Sequence, residues 1–252
     1  MKKVLNVWGE FLLSPESRKV LENDKEGWFG ATGLQNLVHV ANLGQTDQPR
    51  PFHDMFHCDS TAPYHGFKSW DDFFTRQFKE GIRPIAEPDN EDVVVNACES
   101  KMYKLARNVR ARDRFWIKGQ PYSVKDMLAL DPLAEAFVGG TIYQAFLSAL
   151  SYHRWHSPVT GTIKKTMIVD GTYYSEPQYD DFDAKTGAMD AYGEMTSQEY
   201  ITAMATRAII YIEADNKKLG LVAFIAVGMV EVSTCDVTVK EGDHITKGDQ
   251  LG

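Results

Sequence analysis

The run Ala208-Ile209-Ile210-Tyr211-Ile212-Glu213, the polar break Asp215-Asn216-Lys217-Lys218-Leu219-Gly220 and the run Leu221-Val222-Ala223-Phe224-Ile225-Ala226-Val227 decide the fold class of this chain. Each apolar run is short, rich in β-branched side chains and bounded by turn formers, as buried strands are. The Asp, Asn and Gly between them make a hairpin the natural connection. Working outward, Val93 to Val95, Thr162 to Val169 and Val230 to Val239 have the same texture, so strands are expected there too. Toward the other terminus the signals are helical. Ser14-Pro15 pairs an N-cap residue with proline at the first helical position. Ser69-Trp70-Asp71-Asp72 resembles a capping box, and Trp70, Phe73, Phe74 and Phe78 follow at helical spacing until Gly81 and Pro84, which predicts a helix with an aromatic core face. A third, short helix is expected from Ser123, with Asp126 three residues on. The expectation is an α+β fold: a mainly helical region over residues 1–90, then a predominantly antiparallel β core over 91–252.

At 252 residues, 43% of them hydrophobic, the chain can bury a sizeable core. Its net charge is −8, and Lys and Arg gather on no evident face, which argues against nucleic acid as a partner. The longest apolar run, from Leu219 to Val230, is shorter than the roughly 20 residues a membrane helix needs. The first ten residues show no continuous apolar stretch ending in small residues, so no secretory signal is read. Three cysteines, Cys58, Cys98 and Cys235, form no Cys-x-x-Cys pair, which fits a reducing, cytoplasmic compartment.

The chemistry gathers at Tyr152-His153-Arg154-Trp155-His156-Ser157-Pro158-Val159-Thr160-Gly161, where two histidines stand three residues apart. Imidazole titrates near neutral pH and is the usual mover of protons. A proton-transfer site also needs a partner to orient the ring, commonly a carboxylate, and Glu99 in Asn96-Ala97-Cys98-Glu99-Ser100 is the candidate. Spacing alone leaves other readings open: a buried structural histidine, or a metal ligand pair sharing one helical face, for which a third ligand is missing. His53 and His57, beside Asp54 and Cys58, make a second conceivable zinc site, although Pro51 and the residues after Cys58 favour an irregular segment. Asp180, Asp181, Asp183 and Asp190 lie in a long aperiodic segment. They could offer hard oxygens to calcium but lack the spacing of an EF-hand, and a solvated acidic loop is the simpler reading. No metal is assigned. Gly242-Asp243 and Gly248-Asp249, flanked by Val237, Val239, Ile245 and Leu251, read as tight turns joining short strands.

Four stretches taken together carry a family resemblance: Asp71-Asp72-Phe73-Phe74-Thr75-Arg76-Gln77-Phe78 with Arg83-Pro84-Ile85, Lys118-Gly119-Gln120-Pro121-Tyr122-Ser123, Tyr152 to Gly161, and Lys247-Gly248-Asp249-Gln250-Leu251-Gly252. They resemble the phosphatidylserine decarboxylase family. Asn96 to Ser100, Ile212-Glu213-Ala214-Asp215-Asn216-Lys217 and Ser233-Thr234-Cys235 look like its soluble branch, which includes fungal tryptophan decarboxylase. The resemblance implies a proenzyme that cuts itself at a Gly-Ser bond, leaving a larger β chain and a small α chain that begins with a covalent pyruvoyl group (pyruvate). Its ketone would condense with a substrate amine to a Schiff base and accept the electron pair released as CO₂ leaves.

By the same resemblance, His153 matches the base of self-cleavage, Glu99 its orienting acid, and His156 a second histidine that orients substrate or moves a proton. Phe146 and Trp155 are candidates for the pocket wall; a plain core role stands beside that reading for each. The sequence stops at Gly252, before the expected Gly-Ser site. The expectation is therefore a processed β chain, inactive alone and completed by a small α chain from the same precursor, in dimers of αβ units. The implied reaction is decarboxylation of a free aromatic L-amino acid, resembling tryptophan, to its amine. Phosphatidylserine as substrate is the alternative, and a noncatalytic module akin to biotinyl and lipoyl carriers is the reading from another class.

Overall fold

The computed structural model describes residues 1–45, 48–112, 122–175, 187 and 197–252. Lys118 to Pro121 and the aspartates at 180, 181, 183 and 190 lie outside the described residues. The chain forms two compact units whose segments interleave: Met1–Lys2, Met102–Ala145 and Gly161–Ile245 in one, and Lys3–Lys101, Phe146–Thr160 and Thr246–Gly252 in the other. Helices dominate the first part and antiparallel sheet the second, the α+β class that the sequence predicts.

In the first of these units the sheet order is β5-β4-β3-β6, with β3 at Gly161–Val169, β4 at Arg207–Ala214, β5 at Leu221–Val227 and β6 at His244–Ile245. The hairpin read from 208–227 is present: β4 and β5 pair antiparallel from Arg207 opposite Val227 to Glu213 opposite Leu221. Every residue of β4 except Glu213 is buried, which explains a run with little polar alternation. β3 pairs with β4 along its length, with a bulge between Ile163 and Lys165. Its first residue must be glycine, because a Cβ on Gly161 would stand 2.3 Å from the Glu213 carbonyl oxygen. A separate two-stranded sheet joins β1 (Lys101–Arg107) to β2 (Thr141–Phe146).

Two expected strands are absent. Val93 to Val95 forms no ladder; the Val95 amide donates to the Pro158 carbonyl instead. From Thr234 to Val239 the residues alternate between exposed and half-buried as a strand would, yet pair with no neighbouring strand.

The helical unit holds α1 (Lys2–Leu13), α2 (Ala31–Ala41), α3 (Phe52–Met55) and α4 (Trp70–Phe74). Leu34, Leu37, Val38 and Ala41 give α2 an apolar stripe at positions i, i+3, i+4 and i+7, and it packs into a core of Leu21, Phe29, Phe52, Phe56, Phe73 and Tyr152. The Ser14-Pro15 signal opens a 3₁₀ helix over Pro15–Leu21. Ser69 caps α4 by accepting the Asp72 amide at 3.1 Å, but α4 stops at Phe74, short of the expected end at Gly81. Phe78 instead stands opposite Phe56 in an antiparallel bridge, so its aromatic spacing serves a strand-like contact. Pro51 opens one helical turn at Phe52–Met55, where an irregular segment is expected from the sequence. Ser123 precedes the short α5 (Val124–Met127) as read, and α6 spans Gln198–Met204. Among the described residues no helix is long and apolar enough to cross a membrane.

Candidate active site

Both histidines of the 152–161 stretch lie in the helical unit, on a segment without regular secondary structure. Its backbone is fixed from two directions. On one side the C-terminal stretch zips against it antiparallel: His156 bridges Gln250, the Leu251 amide donates to the Trp155 carbonyl at 2.8 Å, and the Ser157 amide donates to the Asp249 carbonyl at 2.7 Å. The Trp155 amide in turn donates to the Gly252 carbonyl at 2.9 Å. The turn at Gly248 has φ +95°, which favours glycine, and a Cβ there would also push the tip of the Ile85 side chain aside from 2.5 Å.

From the other side come arginines. Arg76, just after α4, is 3% exposed, and its Nη2 donates to the carbonyls of Leu150 and Ser151 at 2.9 and 3.0 Å. The guanidinium lies against the rings of Phe56 and Phe73, 4.7 and 4.9 Å from their centroids. Burial draws its pKa down to about 10, with Glu99 and Tyr152 pulling it back up. Arg154 returns the contact, its Nε donating to the Thr75 carbonyl at 2.7 Å and its Nη1 to Gln250 Oε1 at 3.1 Å. The segment is thus held by irregular backbone bonds, to Ala97 and to residues 248–252, together with arginines on carbonyls.

Within that frame His153 is half-buried and stacked on Phe74, ring centroids 3.8 Å apart. Burial above all, against the opposing carbonyls of Ala149 and Ser148 and with a smaller push from the Arg76 charge, lowers its pKa to about 4. At neutral pH the ring is therefore uncharged and able to take a proton. Its Nε2 lies 3.4 Å from the Ala149 carbonyl, a long and weak hydrogen bond. His156 is held more firmly. Its Nδ1 stands 2.8 Å from the Gly248 carbonyl, which can only accept, so Nδ1 carries the hydrogen. That leaves Nε2 of the neutral ring to accept from the Tyr152 hydroxyl at 3.1 Å. Burial raises the Tyr152 pKa and keeps the phenol protonated.

The structure brings His153, His156 and Tyr152 into one segment but does not pair Glu99 with a histidine. Among the described residues the Glu99 carboxylate meets Arg83 Nε, whose guanidinium also donates to the Ala41 carbonyl at 2.6 Å and lies 4.2 Å from the centre of the Phe78 ring. A guanidinium that is always charged outcompetes a neutral imidazole for a carboxylate and takes it. Trp155 is half-buried in the same segment, and Phe146 is half-buried at the end of β2. The histidines were legible because their chemistry is. Tyr152, Arg76 and Arg83 stood in the motifs without roles; the one local signal was Tyr152 lying four residues before His156. His53 lies 3.6 Å from Asp54, and no cluster of three metal-ligating side chains occurs among the described residues.

Comparison with known proteins adds the family. The phosphatidylserine decarboxylase profile matches residues 70–252, and a second profile of the same description matches residues 1–37. The chain belongs to the phosphatidylserine decarboxylase family. It is 47% identical to Decarboxylase iboD of Amanita muscaria, an alignment covering the whole chain and 72% of that protein. It is 40% identical to the L-tryptophan decarboxylase of Psilocybe cubensis, again over the whole chain but over 58% of the relative. Phosphatidylserine decarboxylase proenzyme 3 of Schizosaccharomyces pombe is 31% identical over 80% of this chain and 19% of its own length. The chain thus spans about three fifths to three quarters of the first two relatives.

Proposed function

We propose that this chain is the larger, histidine-bearing subunit of a pyruvoyl-dependent decarboxylase that converts a free aromatic L-amino acid, tryptophan or a close analogue, to its amine and CO₂. The observation that carries the proposal is the zipper between residues 155–157 and 249–252. Polypeptide continuing past Gly252 would leave beside Trp155, on the segment that holds both imidazoles, where a Gly-Ser bond could meet a base. A companion chain beginning with a pyruvoyl group would then start in the same place. The free-amino-acid reading is supported by likeness over the whole of this chain to an L-tryptophan decarboxylase, against likeness over 80% of it to a phosphatidylserine decarboxylase proenzyme.

The donor set fits such a group. A pyruvoyl ketone, when present, supplies the electron sink for decarboxylation, a role no amino-acid side chain fills. His153, neutral and half-buried, takes the proton from the serine hydroxyl during self-cleavage. His156, oriented by Gly248 and Tyr152, delivers or receives a proton at Nε2 during decarboxylation, with the Tyr152 hydroxyl as its relay. Glu99 is proposed to act through charge, balancing Arg76 and favouring the protonated Tyr152 phenol while held by Arg83. Trp155 and Phe146 wall the substrate's side chain. A cytoplasmic location and dimers of αβ units complete the reading.

The test uses the full-length precursor. His153→Ala is expected to abolish processing, seen as a single uncut band; normal cleavage would remove His153 from the base role. Matured wild-type protein offered tryptophan, phenylalanine, tyrosine or phosphatidylserine vesicles is expected to release CO₂ from a free amino acid. Release from the lipid alone overturns the substrate assignment in favour of phosphatidylserine.

A further inference from the structure

Six consecutive residues, Thr234 to Val239, have no backbone hydrogen bond among the described residues, to main chain or side chain. That is unusual for a segment whose side chains are ordered in a strand's alternation: Thr234, Asp236 and Thr238 exposed, Cys235, Val237 and Val239 half-buried. The inward row rests on the sheet. Cys235 Sγ lies 3.7 Å from the Ala226 carbonyl, and the Ala208 backbone lowers the thiol pKa against a larger rise from burial. Ala208 and Ala226 face each other across the β4–β5 ladder, so the thiol sits over the pair. The segment therefore lies on a face of the sheet, as the first strand of a second layer does, with its own hydrogen-bonding edges open.

We infer that residues 234–239 form a docking strand, completed by an extended segment of the polypeptide that follows Gly252 in the precursor. This rests on the reading above, in which that polypeptide becomes the small α chain. A small chain cannot bury a core of its own and gains stability by adding a strand to a larger partner, where main-chain bonds supply affinity. The relatives leave room for such a segment: 28–42% of the first two lies outside the region this chain matches, from the printed coverages of 72% and 58%. The composition suits the role. Val237 and Val239 are β-branched, and the segment holds no proline or glycine.

Hydrogen exchange on the matured full-length protein tests the inference. A strand paired along one edge protects alternate amides, so either Thr234, Asp236 and Thr238 or Cys235, Val237 and Val239 are expected to exchange at least ~100-fold more slowly than unstructured peptide. All six exchanging at the unstructured rate overturns it. Proline replacements at adjacent positions probe the two edges, since successive amides point in opposite directions. Of Asp236→Pro and Val237→Pro, one is expected to release the small chain on gel filtration while the other and Asp236→Ala retain it. Retention by both proline variants, or protection that vanishes on dilution as a contact between two copies would, also overturns it. If the precursor is never cut, the proposed function fails; the protection pattern in that uncut chain still decides whether the downstream segment pairs here.

Discussion

β4 and the histidine segment are held by opposite means. In β4 the main-chain partners come chiefly from β3 and β5, and the side chains of Ile209, Ile210 and Ile212 only fill space. Between Leu150 and Ser157 the main chain is secured piecemeal: irregular backbone bonds to Ala97, Ser148 and residues 248–252, and the Arg76 guanidinium on the carbonyls of Leu150 and Ser151. The first arrangement is robust because it is repetitive. The second depends on a few distant residues to stay in place.

The largest expected effect breaks the repetitive side. Ile210→Ala in β4 is expected to cost about 2–5 kcal/mol through the cavity it leaves, read as a lower midpoint in denaturant, with turnover per folded molecule unchanged. A change in that turnover would mean the two regions are not separable. Arg76→Met attacks the other side. The carbonyls of Leu150 and Ser151 lose their donor, together a loss of about 1–3 kcal/mol, and the positive charge beside His153 disappears. The His153 pKa is expected to rise from about 4 toward its ordinary value, measurable by NMR titration of the ring.

The sign of the matching stability change follows from proton counting. The unfolded chain binds the His153 proton near pH 6.5 and the folded chain only near 4, so this histidine favours the fold above pH 6.5 and that contribution is lost as pH falls toward 4. Arg76→Met should narrow that window; an unchanged acid limb would show that the charge does not reach the ring. The smallest effect sharpens the picture. Tyr152→Phe removes one hydrogen bond to His156, about 0.5–1.5 kcal/mol, and should slow decarboxylation more than it lowers the melting temperature. Equal losses in both would make Tyr152 a structural residue.

These contrasts explain what could be read from residues alone. The β4–β5 hairpin was legible because burial on both faces writes itself as unbroken apolar runs, and the polar break between them has turn chemistry. The Ser69 cap was legible because its partner is three residues away. The end of α4 was not, since Phe78 keeps helical spacing while pairing with Phe56. The strand expected at 93–95 fails because its groups find Pro158 and the Lys247 ammonium before any ladder. Of the site, the histidines and Glu99 announce themselves by residue type. Their partners do not: Arg83 takes Glu99 from sixteen positions upstream, and Arg76 acts on anonymous carbonyls more than seventy residues away. A carbonyl leaves no mark in a sequence.

Lys247 makes the same point from another direction. Its ammonium is enclosed by the carbonyls of Glu87, Asn90 and Val93 at 2.6, 2.9 and 3.1 Å. Every N–H of that cation is committed, so the nitrogen presents no free electron pair to an acyl donor or an activated biotin. Beside the carrier-like turn at Gly248 stands a lysine withdrawn from attachment chemistry, tethering a loop instead.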